Sequence, residues 1–223
     1  MLHRGFFAHA AVLGEGTTDG ALLEGCAERN GVNLGAEGIT FVDVTGRDNL
    51  LLSHAIRSAM GVPRHVIFDG DAGLEERKRG SVRHLDGENR RDKEAAFEQQ
   101  ARKISGSNAD LLGYLGESRS PWPATGSASM YTVCEDNLDT SLGEAWPSWG
   151  ERKQQLIDAG EGVSDKNAAT YREVARTADG IRRACFRRCW RTSGGWFADT
   201  WAHPASGPVA GAQGALHWLR CAE

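Results

Sequence analysis

The sequence predicts an α/β domain: a parallel four-stranded sheet flanked by helices, with a helical C-terminal extension. Three observations predict it. Phe6 to Leu13 is mostly apolar, Ile39 to Val44 is β-branched and apolar, and Val66 to Phe68 is a short continuous apolar run, the pattern of a strand buried on both faces. Segments of helical period separate them, so strand, helix, strand, helix, strand follow one another between Phe6 and Asp71. Each run ends in glycine or acid, as a parallel strand does where it leaves the sheet.

The first strand leads into Gly14-Glu15-Gly16-Thr17-Thr18-Asp19-Gly20. Thr17 or Thr18 is expected to cap a helix through Ala21, Leu22, Leu23 and Cys26 that stops at Gly31. Gly46 breaks the second strand. Asp48 or Asn49 then starts a helix with Leu51, Leu52, Ala55, Ile56 and Ala59 on one face, ended by Gly61 and Pro63. The third strand closes on Asp69-Gly70-Asp71. Gly73 to Arg91 is polar and reads as a surface loop. Asp92 to Ile104 reads as a helix broken by Ser105 to Asn108, and Ser118 to Ser129 as a connector. Met130 to Cys134 makes a fourth strand running into Glu135, Asp136 and Asp139. Helices follow over Trp149 to Ala159 and Asn167 to Ala178. The expected organisation is a domain over 1–140, a helical extension over 141–192 and a poorly defined tail over 193–223.

Composition sets the class. In 223 residues, 40% hydrophobic and 25% charged content is ordinary for a globular chain with a real core. A net charge of −4 does not advertise nucleic-acid binding, although Arg172 to Arg191 is strongly basic. Five cysteines without paired short spacing, no signal peptide and no membrane span lead to the expectation of a reduced, cytoplasmic protein. His54 and His65 read as surface or packing residues rather than ligands, and Cys185, Cys189, Trp146, Trp149 and Trp190 as packing residues, with base stacking by the tryptophans as the alternative. Gly14, Gly16 and Gly20 are mis-spaced for a dinucleotide fingerprint.

The chemistry lies in the acids. Glu15 follows the first strand, Asp69 and Asp71 the third, and Glu135 or Asp139 the fourth. Parallel strands end on one edge, so these groups share a side of the sheet. Asp69-Gly70-Asp71 taken alone reads equally as an ordinary Asp-Gly turn; Glu15 on a separate strand moves the reading toward a site. Clustered carboxylates repel, and a hard divalent cation relieves that repulsion.

Gly14-Glu15-Gly16-x-x-Asp19, the βα unit ending near Val44-x-Gly46, and Phe68-Asp69-Gly70-Asp71 resemble a TOPRIM domain, a Rossmann-like metal-binding fold of topoisomerases, primases and nucleases. Within it the chain is most similar to the C-terminal nuclease region of overcoming-lysogenisation-defect (OLD) ATP-dependent endonucleases. Asp19 four residues after Glu15, the Gly46-Arg47-Asp48-Asn49 turn, and glycine rather than a third acid at Gly73 carry that resemblance. It implies an endonuclease that hydrolyses DNA phosphodiesters, in a phage-defence setting. Glu15, Asp69 and Asp71 would hold the primary Mg²⁺ or Mn²⁺, Asp19 and Asp139 would help with a second ion, and Lys166 would steady the scissile phosphate. The family usually has glutamate where Asp139 stands, Glu135 competes for that role, and Lys166 reads by default as a solvated lysine.

OLD proteins carry an ABC-type ATPase, yet no Walker loop is present here, so no ATP site is expected in this chain, which reads either as a nuclease subunit working with a separate ATPase or as a remnant or fragment of a longer chain. DNA, a separate ABC-type ATPase subunit and further copies of the chain are the partners this leaves open; a membrane is not among them. Two rivals stand beside the nuclease. One is a non-catalytic TOPRIM module that binds DNA or a partner ATPase. The other is a haloacid-dehalogenase-type phosphatase, ranked low because its nucleophilic aspartate follows the first strand of its fold.

Overall fold

The computed structural model describes residues 8–160 and 166–179. Its first strand, β1 (Ala10–Gly14), is buried along its whole length, which is why its apolar run is unbroken. The chain continues through α1 (Thr17–Arg29), β2 (Ile39–Asp43), a 3₁₀ turn (Arg47–Asn49), α2 (Leu50–Ala59) and β3 (Arg64–Asp69). Then come α3 (Leu74–Ser81), α4 (Gly87–Tyr114), β4 (Gly126–Ser127), β5 (Tyr131–Cys134), α5 (Leu138–Ala145), α6 (Ser148–Asp158) and α7 (Ala168–Thr177).

The sheet has five strands in the order β2-β1-β3-β5-β4. The four strands expected from the sequence run parallel, and the short β4 adds an antiparallel edge on β5. The connection leaving β1 passes to β2 on one side, and the connection leaving β3 passes to β5 on the other. Between the carboxyl ends of β1 and β3 the connections diverge, which opens the crevice where ligands bind in open α/β sheets.

One face of the sheet packs Leu13, Val66 and Phe68 against Leu50 of α2 and Leu111, Leu112 and Leu115 from the end of α4. The other face packs Ala10, Val12 and Ile39 against Ala27 of α1. Outside α1, the helices α5 to α7 form a third cluster with Ala21, Leu22 and Cys26 of α1, centred on Trp146, Trp149, Tyr171 and Val174. Gly25 permits this approach, because a Cβ there would meet the backbone of Arg172.

Four expectations are corrected. The segment from Gly73 to Arg91 is not a loop: α3 and the first turns of α4 occupy most of it, and Arg79 of α3 pairs with Glu98 further along α4 at 3.0 Å. The helix does not break at Ser105 to Asn108, since α4 runs through as 28 residues. Helix-averse residues are tolerated there because Asn108 is fully buried and hydrogen-bonded, and the leucines beyond it enter the core. In α2 the buried face is Leu50, Ser53, His54 and Arg57, while Leu51 and Leu52 are 39% and 60% exposed. The 3₁₀ turn ahead of α2 sets that phase, held by Asn49 donating to the Val44 carbonyl at 2.9 Å. Finally, the N-cap of α1 is Gly16 rather than a threonine. The Asp19 carboxylate reaches back to accept from the Gly16 amide at 3.0 Å.

Trp146 and Trp149 are core residues, and His54 packs edge-on to Tyr114. Cys26 and Cys134 are buried free thiols. Among the described residues no helix is long and apolar enough to cross a membrane. Cys185, Cys189, Trp190, most of the basic run from Arg172 to Arg191, and the tail over 193–223 lie outside the described residues.

Candidate functional site

β1 delivers Glu15 and β3 delivers Asp69 to the divergence point as adjacent strands of one sheet. The two are in direct contact: the Asp69 amide donates to Glu15 Oε1 at 3.2 Å. Gly70 follows without a side chain because a Cβ would run into the carbonyl oxygens of Cys134 and Glu135 at the end of β5. Its amide instead donates to the Cys134 carbonyl at 2.6 Å, and the Asp71 amide to the Asp136 carbonyl at 2.6 Å. Asp71 sits in the left-handed region at φ 55°, a conformation aspartate tolerates better than most residues.

Arg47, from the 3₁₀ turn after β2, lies among these acids with its side chain only 8% exposed. Its Nε donates to Glu15 Oε1 at 3.1 Å and its Nη2 lies 3.0 Å from Asp71 Oδ2. Nη2 also donates to the Asp69 carbonyl, and Nη1 donates to Asn108 Oδ1 at 3.1 Å. Asn108 in turn donates to the carbonyls of Gly70 at 2.9 Å and Pro121 at 3.0 Å. Arg77 closes the other side, 3.2 Å from Asp71 and in an ion pair with Asp136.

The electrostatics divide the acids. Burial pushes Asp69 up to about 8, reinforced by the charges of Glu15, Asp19 and Asp71 and opposed by Arg47. Glu15 is raised chiefly by burial, with Arg47 the main opposing influence. Asp19 is raised by burial and by Asp43 and Asp139, against the amides of Gly16 and Glu15. Asp69 Oδ1 accepts the Leu138 amide at 3.0 Å, so the first turn of α5 supplies its hydrogen bond.

The remaining candidates sit further out. Asp139 accepts from the Tyr171 hydroxyl and lies 3.4 Å from Lys153 Nζ, which itself lies 4.7 Å from the Tyr171 ring centroid; this joins α5, α6 and α7. Glu135 is exposed, and its main chain braces the loop through the Ala72 amide at 3.1 Å. Lys166 is exposed on the turn before α7, with no hydrogen bond or ion pair among the described residues. The sequence reading missed Asn108, Arg77 and Asp136 as parts of the site. It noted Arg47 only as a turn residue, although a cation beside a glycine turn at a strand end was the available signal.

The donor chemistry suits a hard divalent cation: carboxylates from neighbouring strands, one of them raised by burial and, after that, by its acidic neighbours. As placed, however, no three ligand-type side chains among the described residues converge to hold an ion. The Arg47 guanidinium stands between Glu15 and Asp71 instead.

The fold and the strand-end acids define an α/β domain with an acidic centre at its divergence point. Residues 6–71 match the family model described as Overcoming lysogenization defect protein-like, TOPRIM domain. Solved structures similar to it include the C-terminal region of the Burkholderia pseudomallei OLD protein, at 17% identity and a TM-score of 0.40, covering 97% of each chain. The C-terminal region of the Xanthomonas campestris pv. campestris OLD protein is similar in two structures, at 17% identity in both. The TM-scores are 0.40 and 0.41, over 98% and 96% of this chain and 96% of each of those. No curated protein matches the chain.

Proposed function

We propose that this chain is a metal-dependent endonuclease of OLD-like TOPRIM type that hydrolyses DNA phosphodiesters. The observation that carries the reading is the pairing of Glu15 with the Asp-x-Asp segment across adjacent parallel strands, at the point where their connections diverge. Glu15, Asp69 and Asp71 are the residues that would hold Mg²⁺ or Mn²⁺, with Asp19 beside them and Asp139 and Lys166 on the outer elements. When bound, such an ion supplies positive charge to a phosphodiester under attack by water. The chain's own contribution is placement. Hydrogen bonds from Gly70 and Asp71 to the β5 loop fix the Asp-x-Asp backbone, and the Asp69 amide orients Glu15.

Cleavage of plasmid DNA in Mg²⁺ or Mn²⁺ by wild type against Asp69→Ala tests the proposal. Loss of cleavage in the variant supports it, and equal cleavage by both rejects it. DNA and a separate ABC-type ATPase are the partners consistent with this reading.

A second reading, a non-catalytic TOPRIM module that binds DNA or a partner ATPase, draws support from Arg47, whose charge already neutralises part of the acidic centre. Calorimetry showing no Mn²⁺ binding, alongside a stable complex with DNA or the ATPase, would favour it.

A further inference from the structure

Arg47 is placed with more contacts than a surface ion pair needs. It comes from a segment 32 residues from Glu15 and 24 from Asp71, so the contact belongs to the tertiary fold rather than to a local turn. Its three guanidinium nitrogens are all engaged: Nε with Glu15, Nη2 with Asp71 and the Asp69 carbonyl, and Nη1 with Asn108. Asn108 is itself fully buried and holds the carbonyl of Gly70, the residue between the two aspartates. One side chain thus binds the glutamate of β1, the acid following β3 and the backbone joining them. A guanidinium is planar and permanently charged, and it matches carboxylate oxygens in the way a bound cation does.

We infer that Arg47 is a resident counter-cation of this centre: it neutralises Glu15 and Asp71 in the metal-free chain, and a divalent cation reaches these two carboxylates only as the guanidinium leaves them. The inference rests on the reading of the acids as metal ligands. Its physical content is competition. A divalent ion and a guanidinium on the same oxygens lie within a few ångströms of each other and repel strongly where water is largely excluded. Cation binding is therefore coupled to release of Arg47 from Glu15 and Asp71, with Asn108 and the Asp69 carbonyl as the contacts left to it.

The test compares Mn²⁺ affinity by calorimetry, and melting temperature with and without saturating Mn²⁺, for wild type, Arg47→Lys and Arg47→Met. The Met variant is expected to melt lower than wild type without metal, to bind Mn²⁺ at least about 10-fold more tightly, and to recover its melting temperature with Mn²⁺; such a gain corresponds to removing a competing charge. The Lys variant, which keeps a charge but not the fork, should fall between the two. A Met variant that needs Mn²⁺ in order to fold also supports the inference. Equal or weaker binding by the Met variant overturns it, because Arg47 then only positions the acids; so does unfolding that Mn²⁺ does not correct. Absence of Mn²⁺ binding in all three proteins, with folds intact by circular dichroism, removes the metal-dependent reading itself. Equal binding in all three removes only the role given to Arg47.

Discussion

Glu15 Oε1 accepts the backbone amide of Asp69 at 3.2 Å, so the first acid of the centre is oriented by the residue that carries the second. A glutamine at this position retains that acceptor and loses the charge facing Arg47. Glu15→Gln should therefore fold with a melting temperature near that of wild type while its Mn²⁺-supported plasmid cleavage drops by ~10²-fold or more. Asp19→Asn offers the matching control on α1. It keeps an oxygen for the Gly16 amide and so preserves the helix start, and a fall in cleavage without a fall in stability would separate a metal role for Asp19 from its capping role.

Asp69 makes the metal-free protein lose stability as pH rises from about 4 to about 8. With its folded value raised to about 8 from an ordinary 3.8, the native state keeps a proton that the unfolded chain has lost. This contribution is fully present below about pH 4 and disappears as pH rises through about 8. Thermal melts in chelator should show wild type losing stability across that window and Asp69→Asn losing less. Under the proposed metal role of Asp69, stabilisation by added Mn²⁺ should grow with pH, because the ion and the proton would compete for one carboxylate. A wild-type slope no steeper than that of the variant would contradict the assignment.

His65 acts in the opposite direction. Burial lowers it to about 4 from 6.5, and its Nε2 pairs with Thr132 Oγ1 at 2.9 Å, linking β3 to β5. A depressed histidine contributes stability that is present above about pH 6.5 and lost as pH falls through about 4. His65→Gln can keep a hydrogen bond to Thr132 without titrating. Between pH about 7 and about 5 it should lose less stability than wild type, read from urea midpoints at the two values.

Two neighbours on α4 should respond in opposite ways. Asn108→Leu strips partners from Arg47 Nη1 and from the Gly70 and Pro121 carbonyls, and should cost about 2–4 kcal/mol in denaturant unfolding. Gly106 faces open space, so Gly106→Ala should stabilise by about 0.5–1 kcal/mol through helix propensity alone.

What could be read in the sequence was whatever is local. Strands β1, β2 and β3 announce themselves by their apolar and β-branched segments, and Gly46 and Gly61 mark their turns with backbone φ of 102° and 71°. The strand-end acids were visible for the same reason, since each ends its own segment. Ser105 to Asn108 misled because its composition favours a break, whereas the buried hydrogen bonds of Asn108 depend on Gly70 and Pro121, which are distant in sequence. The face of α2 was misread because Leu51 and Leu52 are more apolar than Ser53 and Arg57, yet the 3₁₀ turn fixes the phase with Leu50 inward. Arg47 was visible as a residue but not as a partner: its contacts reach 32, 24 and 61 residues along the chain.

The close seating of α1 on α7 at Gly25 bears on how the chain can be divided. α1 contributes one flank to the sheet and the other to Trp146, Tyr171 and Val174. A cut at residue 140 would spare every strand-end carboxylate and still bare Leu22 and Cys26 to water. The acid-bearing half is thus no cassette to be lifted out: the same helix that carries Asp19 is the mortar between sheet and extension.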